Sequence, residues 1–256
     1  GTAMSEAHPD LPLSSQSLSR MLSRIGESTV NLEFSHKLIQ HISTGSTLIY
    51  DITSLSSYSQ SISLLEYGYN RDGLDLPQIN LSLIVDKDLG IPVMYDLYPG
   101  SIADVSTLKN TVKKIEAQGA KNYAMIMDRG FFSTDNIEEM VSADISFIIP
   151  PTSTLKNVKE AISAIHKSID DPEYLKLYEK EPLFAMPVII DVGKNRLNGY
   201  AYYDQKREQM ERNTFYKRLY DLMEVLRSKN LKPWMNPGDV FRATAKRDAK
   251  FIEWKA

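Results

Sequence analysis

The segment Tyr123-Ala-Met-Ile-Met-Asp128-Arg-Gly-Phe-Phe-Ser133 contains an apolar run that ends in an aspartate and is followed by an arginine and a glycine. Such a run is typical of a buried strand, and Gly130 can take backbone angles closed to other residues, so a tight exit into a helix is expected. A second apolar run, Thr47-Leu-Ile-Tyr-Asp51, also ends in an aspartate. Open α/β sheets bind ligands at the carboxyl ends of their strands, which makes Asp51 and Asp128 candidate metal ligands.

The chemistry of carboxylates favours a hard dication at this pair. Mg²⁺ takes oxygen ligands and often keeps waters for a substrate phosphate, so two rigidly held aspartates suit phosphoryl transfer. The chain has no cysteine, which excludes a disulfide framework and thiolate zinc sites. His36 and His41 lie in a helical pattern over residues 32–42, and we interpret them as partly exposed helix residues rather than ligands.

The order of predicted elements gives the fold class. Strands are predicted at residues 48–52, 79–85, 91–98, 123–127 and 147–150, with helices at 104–118 and 136–141. This β-β-β-α-β-α-β order resembles the ribonuclease H-like mixed sheet, in which the first and fourth strands are neighbours. Asp51 and Asp128 would then lie side by side, although 128 − 51 = 77 residues separate them.

Composition and the predicted elements divide the whole chain into four segments. Residues 1–45 are interpreted as a cloning scar and a helical lead-in, and residues 46–151 as the core that carries the two aspartates. Residues 152–240 are predicted to be an α+β insertion after the fifth core strand, made of a helix, two strands and a long helix. Residues 241–256 form a basic tail. The predicted fold class is therefore α/β, a mixed sheet flanked by helices and extended by this insertion.

Composition and charge limit the classes of protein that remain. Hydrophobic residues make up 42% and charged residues 25% of the chain, and no apolar run is long enough to span a membrane, so a soluble cytoplasmic protein is expected. The net charge of −3 gives no long-range attraction for nucleic acid. The basic tail is a local exception; we interpret it as a solvated helix face with inward-packed aromatics rather than as a nucleic-acid grip.

Several motifs together resemble the DDE-type transposases of insertion sequences, a family within the ribonuclease H-like, retroviral integrase superfamily. The matching stretches occur in the family's order over about residues 46–150. They are Tyr50-Asp-Ile-Thr-Ser54, Tyr67-Gly-Tyr-Asn-Arg-Asp-Gly73, Leu89-Gly-Ile-Pro-Val93, Tyr98-Pro-Gly100 with Asp104, and Met127-Asp-Arg-Gly-Phe-Phe-Ser133.

This resemblance implies a catalytic core that cuts and joins DNA with two divalent metals, Mg²⁺ or Mn²⁺. It implies that Asp51 bridges the metals and that Asp128 holds one of them. Arg129 either positions a DNA phosphate or forms a surface salt bridge. The implied partners are double-stranded DNA, as transposon ends and target, and a second copy of the chain in a homodimer. The implied location is the prokaryotic cytoplasm, at the nucleoid.

The third carboxylate departs from the family pattern, which places Tyr, Arg, Glu and Lys along one helix. Arg207 and Glu211 have the required spacing, but Asp204 stands at the Tyr position and Arg218 at the Lys position. We therefore expect the glutamate beyond Ala256 and an incomplete site in this chain. Glu211 stays open as the alternative, and Glu208 fits less well.

Three other carboxylates are assigned to local structure. Asp86 and Asp88 flank a predicted hairpin turn, and Asp104 stands at an expected helix N-cap. Two other functions also stay open. The chain could be a ribonuclease H-like nuclease without strand transfer, or a catalytically silent fragment of a transposase.

Overall fold

The computed structural model describes residues 14–41, 45–70 and 73–252. The chain divides into two compact units, the first reaching Lys159 and including Asp191–Arg196, the second comprising Glu160–Ile190 and the residues from Leu197 onward. No helix among the described residues is long and apolar enough to cross a membrane.

The first unit is built on a five-stranded mixed sheet. Its strands are β1 (Thr47–Ser56), β2 (Gln78–Asp86), β3 (Ile91–Pro99), β4 (Ala124–Met127) and β5 (Ser146–Ile148), and its helices are α1 (Ser15–Glu27), α2 (Val30–His41), α3 (Leu108–Ala117) and α4 (Thr134–Ser142). The strand order is β3-β2-β1-β4-β5. β2 runs antiparallel to β1 and β3, whereas β4 pairs in parallel with β1 and β5. This is the ribonuclease H-like sheet, and the predicted neighbourhood of the first and fourth strands is confirmed.

One face of this sheet forms the core. Burial alternates along β1, so that Leu48, Tyr50 and Ile52 are buried while Asp51 is exposed on the opposite face. The buried face packs with residues of α2, α3 and α4, among them Ile39, Leu108, Val112, Ile115 and Met140. The opposite face is the more open one, since Ile49, Leu55 and Leu97 are exposed there.

The ends of the elements follow from local chemistry. Ser14 and Ser133 accept hydrogen bonds from Ser17 N–H and Asn136 N–H and cap α1 and α4, and Gly119, with a φ of +97°, ends α3 as predicted. Asp86 accepts from the N–H groups of Asp88 and Leu89 in the β2–β3 turn, which confirms its structural assignment. The N-cap assignment of Asp104 is wrong, because this residue begins a separate 3₁₀ turn, Asp104–Ser106, ahead of α3.

The second unit combines a small sheet with helices. Its elements are β6 (Leu175–Tyr178), β7 (Glu181–Val192), β8 (Asn195–Tyr203), α6 (Gln205–Arg227), α7 (Pro237–Ala245) and the 3₁₀ helix Lys246–Phe251, after α5 (Lys156–Ile165), which begins in the first unit. The sheet order is β6-β7-β8. This is the predicted α+β segment after the fifth core strand, with one strand, β6, that the sequence analysis missed.

The basic tail differs from its predicted form. It is not one helix, because α7 ends at Ala245 and a separate 3₁₀ helix begins at Lys246, which takes a φ of +46°. Phe251 meets the Phe215 ring edge-on at 5.0 Å but is 51% exposed, so only part of this ring packs inward. Trp254 lies outside the described residues.

Candidate active site

The parallel pairing of β1 with β4 positions the two aspartates. Tyr50 is paired with Met127, and both side chains lie on the buried face of the sheet. Asp51 and Asp128 are the next residues along the two chains, so both point to the opposite, exposed face. Neighbouring strands lie about 4.8 Å apart, a spacing that lets both carboxylates reach the same small ion.

Each aspartate is held by a backbone N–H group. Asp51 Oδ1 accepts from Ile52 N–H at 2.8 Å, and Asp128 Oδ1 accepts from Gly130 N–H at 2.7 Å. Each bond restricts the rotation of its carboxylate. The remaining carboxylate oxygens are the hard donors that Mg²⁺ and Mn²⁺ prefer, so the donor chemistry fits the implied metals.

A buried tyrosine lies on the other face of the sheet from the aspartate pair. Tyr50, the residue before Asp51, is 1% exposed, and its hydroxyl bonds Thr107 at 2.8 Å and Thr111 at 3.0 Å. Its ring lies 4.7 Å from that of Phe131, which follows Asp128 and Gly130 in the chain. Burial raises the pKa of Tyr50 to about 12. The neutral phenol therefore links the two aspartate-bearing segments to the start of α3.

Gly130 is needed for space rather than for an unusual backbone angle. Its φ is not positive, contrary to the sequence expectation. A Cβ at this position would lie 2.9 Å from Asp128 Oδ1 and 3.5 Å from Asp104 Oδ2. The two carboxylates therefore converge on the face of Gly130 that carries no side chain.

Asp104 is the residue near the site that the sequence analysis missed. It follows β3, which runs in the same direction as β1, because each is antiparallel to β2. The carboxyl ends of β1, β3 and β4 consequently share one edge of the sheet. The predicted strand order already implied that these three carboxyl ends share an edge. Asp104 was nevertheless assigned to a helix cap, so its nearness to the site was not predicted.

A buried asparagine fastens the two turns that carry these residues. The Asn136 side-chain amide donates to Val105 O and Phe131 O, both at 2.8 Å. Val105 belongs to the turn that begins at Asp104, and Phe131 ends the turn Arg129–Phe131. Because Asn136 is only 7% exposed, these bonds are shielded from water and set the spacing between the turns.

A family model described as "Transposase DDE domain" matches residues 42–226, well over half of the chain. The chain belongs to the DDE transposases. None of the curated proteins matches it by sequence.

Among solved structures, the chain of this transposase is similar to three other transposases at low identity. It matches the piggyBac transposase synaptic complex with hairpin DNA at 14% identity and a TM-score of 0.36, covering 82% of this chain and 47% of that one. It matches the Mos1 transposase paired-end complex at 10% identity and a TM-score of 0.30, covering 59% of this chain and 54% of that one. The Drosophila P element transposase strand transfer complex matches at 13% identity and a TM-score of 0.24, covering 58% of this chain and 35% of that one. The chain thus spans about half or less of these proteins.

Arg129 is exposed beside Asp128 and forms no salt bridge within the described part of the chain. The choice between a phosphate contact and a surface salt bridge for Arg129 stays a prediction.

The two candidates for a third carboxylate are both engaged elsewhere on α6. Glu211 accepts from Arg207 Nε at 3.0 Å, with both side chains at least 70% exposed. Glu208 accepts a hydrogen bond from the Tyr203 hydroxyl and another from Arg212, and these bonds lower the pKa of its carboxyl. Among the described residues of the transposase, no group of three or more His, Asp or Glu side chains is placed to hold a metal ion.

Proposed function

We propose that this chain is the catalytic core of a transposase that cuts and joins DNA at the ends of an insertion sequence. The observation that carries the proposal is the β1–β4 register, which brings Asp51 and Asp128 side by side on one exposed face. Membership of the DDE family supplies the class of reaction.

In this proposal Asp51 and Asp128 hold two divalent cations, Mg²⁺ or Mn²⁺. When bound, such ions lower the pKa of an attacking water or 3′-hydroxyl and stabilise the leaving oxygen. Asp51 would contribute carboxylate oxygens to both ions, and Asp128 to one. Arg129 orients a DNA phosphate beside Asp128, since its guanidinium is exposed and makes no salt bridge in the described ranges.

Other parts of the proposal extend beyond the aspartate pair. Residues 152–240 act as an insertion after the fifth core strand, and Glu211, the alternative third carboxylate within it, is paired with Arg207 at 3.0 Å. The active complex is a homodimer that holds double-stranded transposon ends and target DNA.

Calorimetry with Mn²⁺ tests the aspartate pair directly. We expect binding to the unaltered chain, and its loss in both Asp51→Asn and Asp128→Asn. Asp88→Asn is the matched control, because Asp88 is an exposed aspartate in the β2–β3 turn that pairs with Lys87 at 3.4 Å. Binding that survives both site substitutions would overturn the proposed metal site.

Strand transfer is tested separately from cleavage. With transposon-end DNA and a target plasmid, the unaltered transposase is expected to give joined products as well as cuts. The Asp51→Asn variant is expected to give neither. Cuts without joined products would instead identify a nuclease. Products that persist in Asp51→Asn would show that this carboxylate is not catalytic.

A further inference from the structure

The net charge of −3 conceals a strong separation of charge along the chain. Residues 205–252 contain twelve lysines and arginines but six aspartates and glutamates, a net charge of +6. Glu253 and Lys255 cancel, so residues 1–204 carry the balancing −9. A segment of this sign and density is the electrostatic footprint of a site for polyanions.

Most arginines of this segment form ion pairs within it, whereas most of its lysines do not. Five of its six acidic residues bind an arginine of the same segment: Glu208, Glu211, Glu224, Asp239 and Asp248. Six cations of the segment have no ion-pair partner in the described residues, and all are exposed: Lys217, Lys229, Lys232, Lys246, Arg247 and Lys250. The acids are thus neutralised locally, while the surplus positive charge faces water.

Three of these cations lie together on the 3₁₀ helix Lys246–Phe251 of the second unit. Arg218 of α6 binds Asp248 of the 3₁₀ helix at 2.8 Å, and Asp248 is only 8% exposed. The Phe215 ring meets the Phe251 ring edge-on at 5.0 Å. These two contacts fix the 3₁₀ helix against the middle of α6. We call the resulting surface the basic junction, and its cations are Lys246, Arg247 and Lys250.

Exposed aromatic rings accompany the unpaired lysines. Lys250 lies 4.8 Å from the centre of the Phe251 ring, and Lys232 lies 5.2 Å from that of Trp234, which is 76% exposed. Lysines on flexible stems act as point charges that suit successive phosphates, and exposed rings beside them can contact sugars or bases. A folded acidic protein would need a matching pattern of carboxylates, whereas a nucleic-acid backbone offers a regular row of charges.

We propose that the basic junction binds the phosphate backbone of double-stranded DNA, without reading its sequence. This inference rests on the proposed function, since it adds a second DNA contact to a transposase, but it requires no metal. The contact positions DNA rather than reacting with it, which is the usual role of phosphate contacts.

Fluorescence anisotropy with a labelled duplex, in EDTA and over a range of salt concentrations, tests the proposal. The test variant is Lys246→Gln/Arg247→Gln/Lys250→Gln. The control is Lys113→Gln/Lys121→Gln/Lys194→Gln, three exposed lysines of the first unit whose loss changes net charge equally. We expect the test variant to bind at least about tenfold more weakly at low salt, with a log–log salt slope smaller by about three, and the control to bind as the unaltered chain does.

The outcomes separate this inference from the proposed active site. Asp51→Asn is expected to bind the duplex normally in EDTA, so a failure of the metal proposal would leave this binding intact. No duplex binding by the unaltered chain, or equal weakening by the two triple variants, would overturn the basic junction. Vesicles of phosphatidylserine are the second probe: stronger lysine-dependent binding to vesicles than to DNA would also overturn the proposal.

Discussion

Gly130 is a single residue whose missing side chain keeps two carboxylates close together. We predict that Gly130→Ala weakens Mn²⁺ binding about tenfold, because the new Cβ would lie 2.9 Å from Asp128 Oδ1 and force that carboxylate to move. Calorimetry measures the affinity. Gly26→Ala is the matched control, since a Cβ at Gly26 would have no atom within 4 Å. Equal affinities for the two variants would show that the position of Asp128 does not depend on this space.

Tyr50 makes the stability of the first unit sensitive to alkaline pH. Burial raises its pKa to about 12, against about 10 in an unfolded chain. Its contribution to the free energy of unfolding is therefore complete below pH 10 and is lost as pH rises through 12. We predict that, between pH 9 and pH 12, the unaltered chain loses about 2 kcal/mol more than Tyr50→Phe does.

Urea unfolding at several pH values measures this difference, because the phenylalanine variant has no proton to lose at position 50. The variant should be less stable at pH 7, where the bonds to Thr107 and Thr111 are missing, and the two curves should approach each other above pH 10. Curves that stay parallel across this range would show that Tyr50 does not ionise on unfolding.

At the level of elements, Asn136 connects the turn after β3 to the turn after β4. We predict that Asn136→Ala lowers the free energy of unfolding by about 2 kcal/mol, because the buried Phe131 O and the half-buried Val105 O lose their donor. Asn110→Ala is the control. Its amide donates to the Tyr98 hydroxyl at 3.1 Å in an exposed hydrogen bond, so a change within about 0.5 kcal/mol is expected. Similar losses in the two variants would mean that burial of the Asn136 bonds contributes little.

The core strands were predictable because their physical signal is local. Apolar runs bounded by Asp, Gly and Pro gave five strands, and their order gave the adjacency of β1 and β4. The strand β6 carries no comparable signal, since all four of its residues, Leu175–Tyr178, are exposed. The strand forms through its pairing with β7, and its own side chains show no alternation of burial that a sequence pattern could reveal.

The site was predictable only in part, for the same reason. Asp51 and Asp128 each end a recognisable strand, so both stood out in the sequence, and their metal role is still a prediction. Asp104 ends no apolar run of its own, and its carboxylate comes near Asp128 only through the packing of two 3₁₀ turns on Asn136. Such a contact is set by tertiary structure, which no short sequence pattern encodes.

At the scale of the whole molecule, the balance of charge is a poor guide to what the surface can attract. A total of −3 suggested little affinity for nucleic acid, yet residues 205–252 alone carry +6. Fields act over about one Debye length, roughly 8 Å at physiological salt, so a ligand at the basic junction senses its own surroundings rather than the sum over the chain. The separation was present in the sequence, but the ion pairs that leave lysines unpaired were visible only in the fold.

The β1–β4 register also has a consequence for the way the protein folds. Asp51 and Asp128 become neighbours only when a chain segment of 77 residues has been closed, which is a slow, long-range step compared with forming a helix or the β2–β3 hairpin. During synthesis, β1 must wait for its partner until β4 has emerged. A nascent or partly folded chain therefore presents single, separated carboxylates, and the pair that we propose to bind metal appears only in molecules whose central sheet is complete.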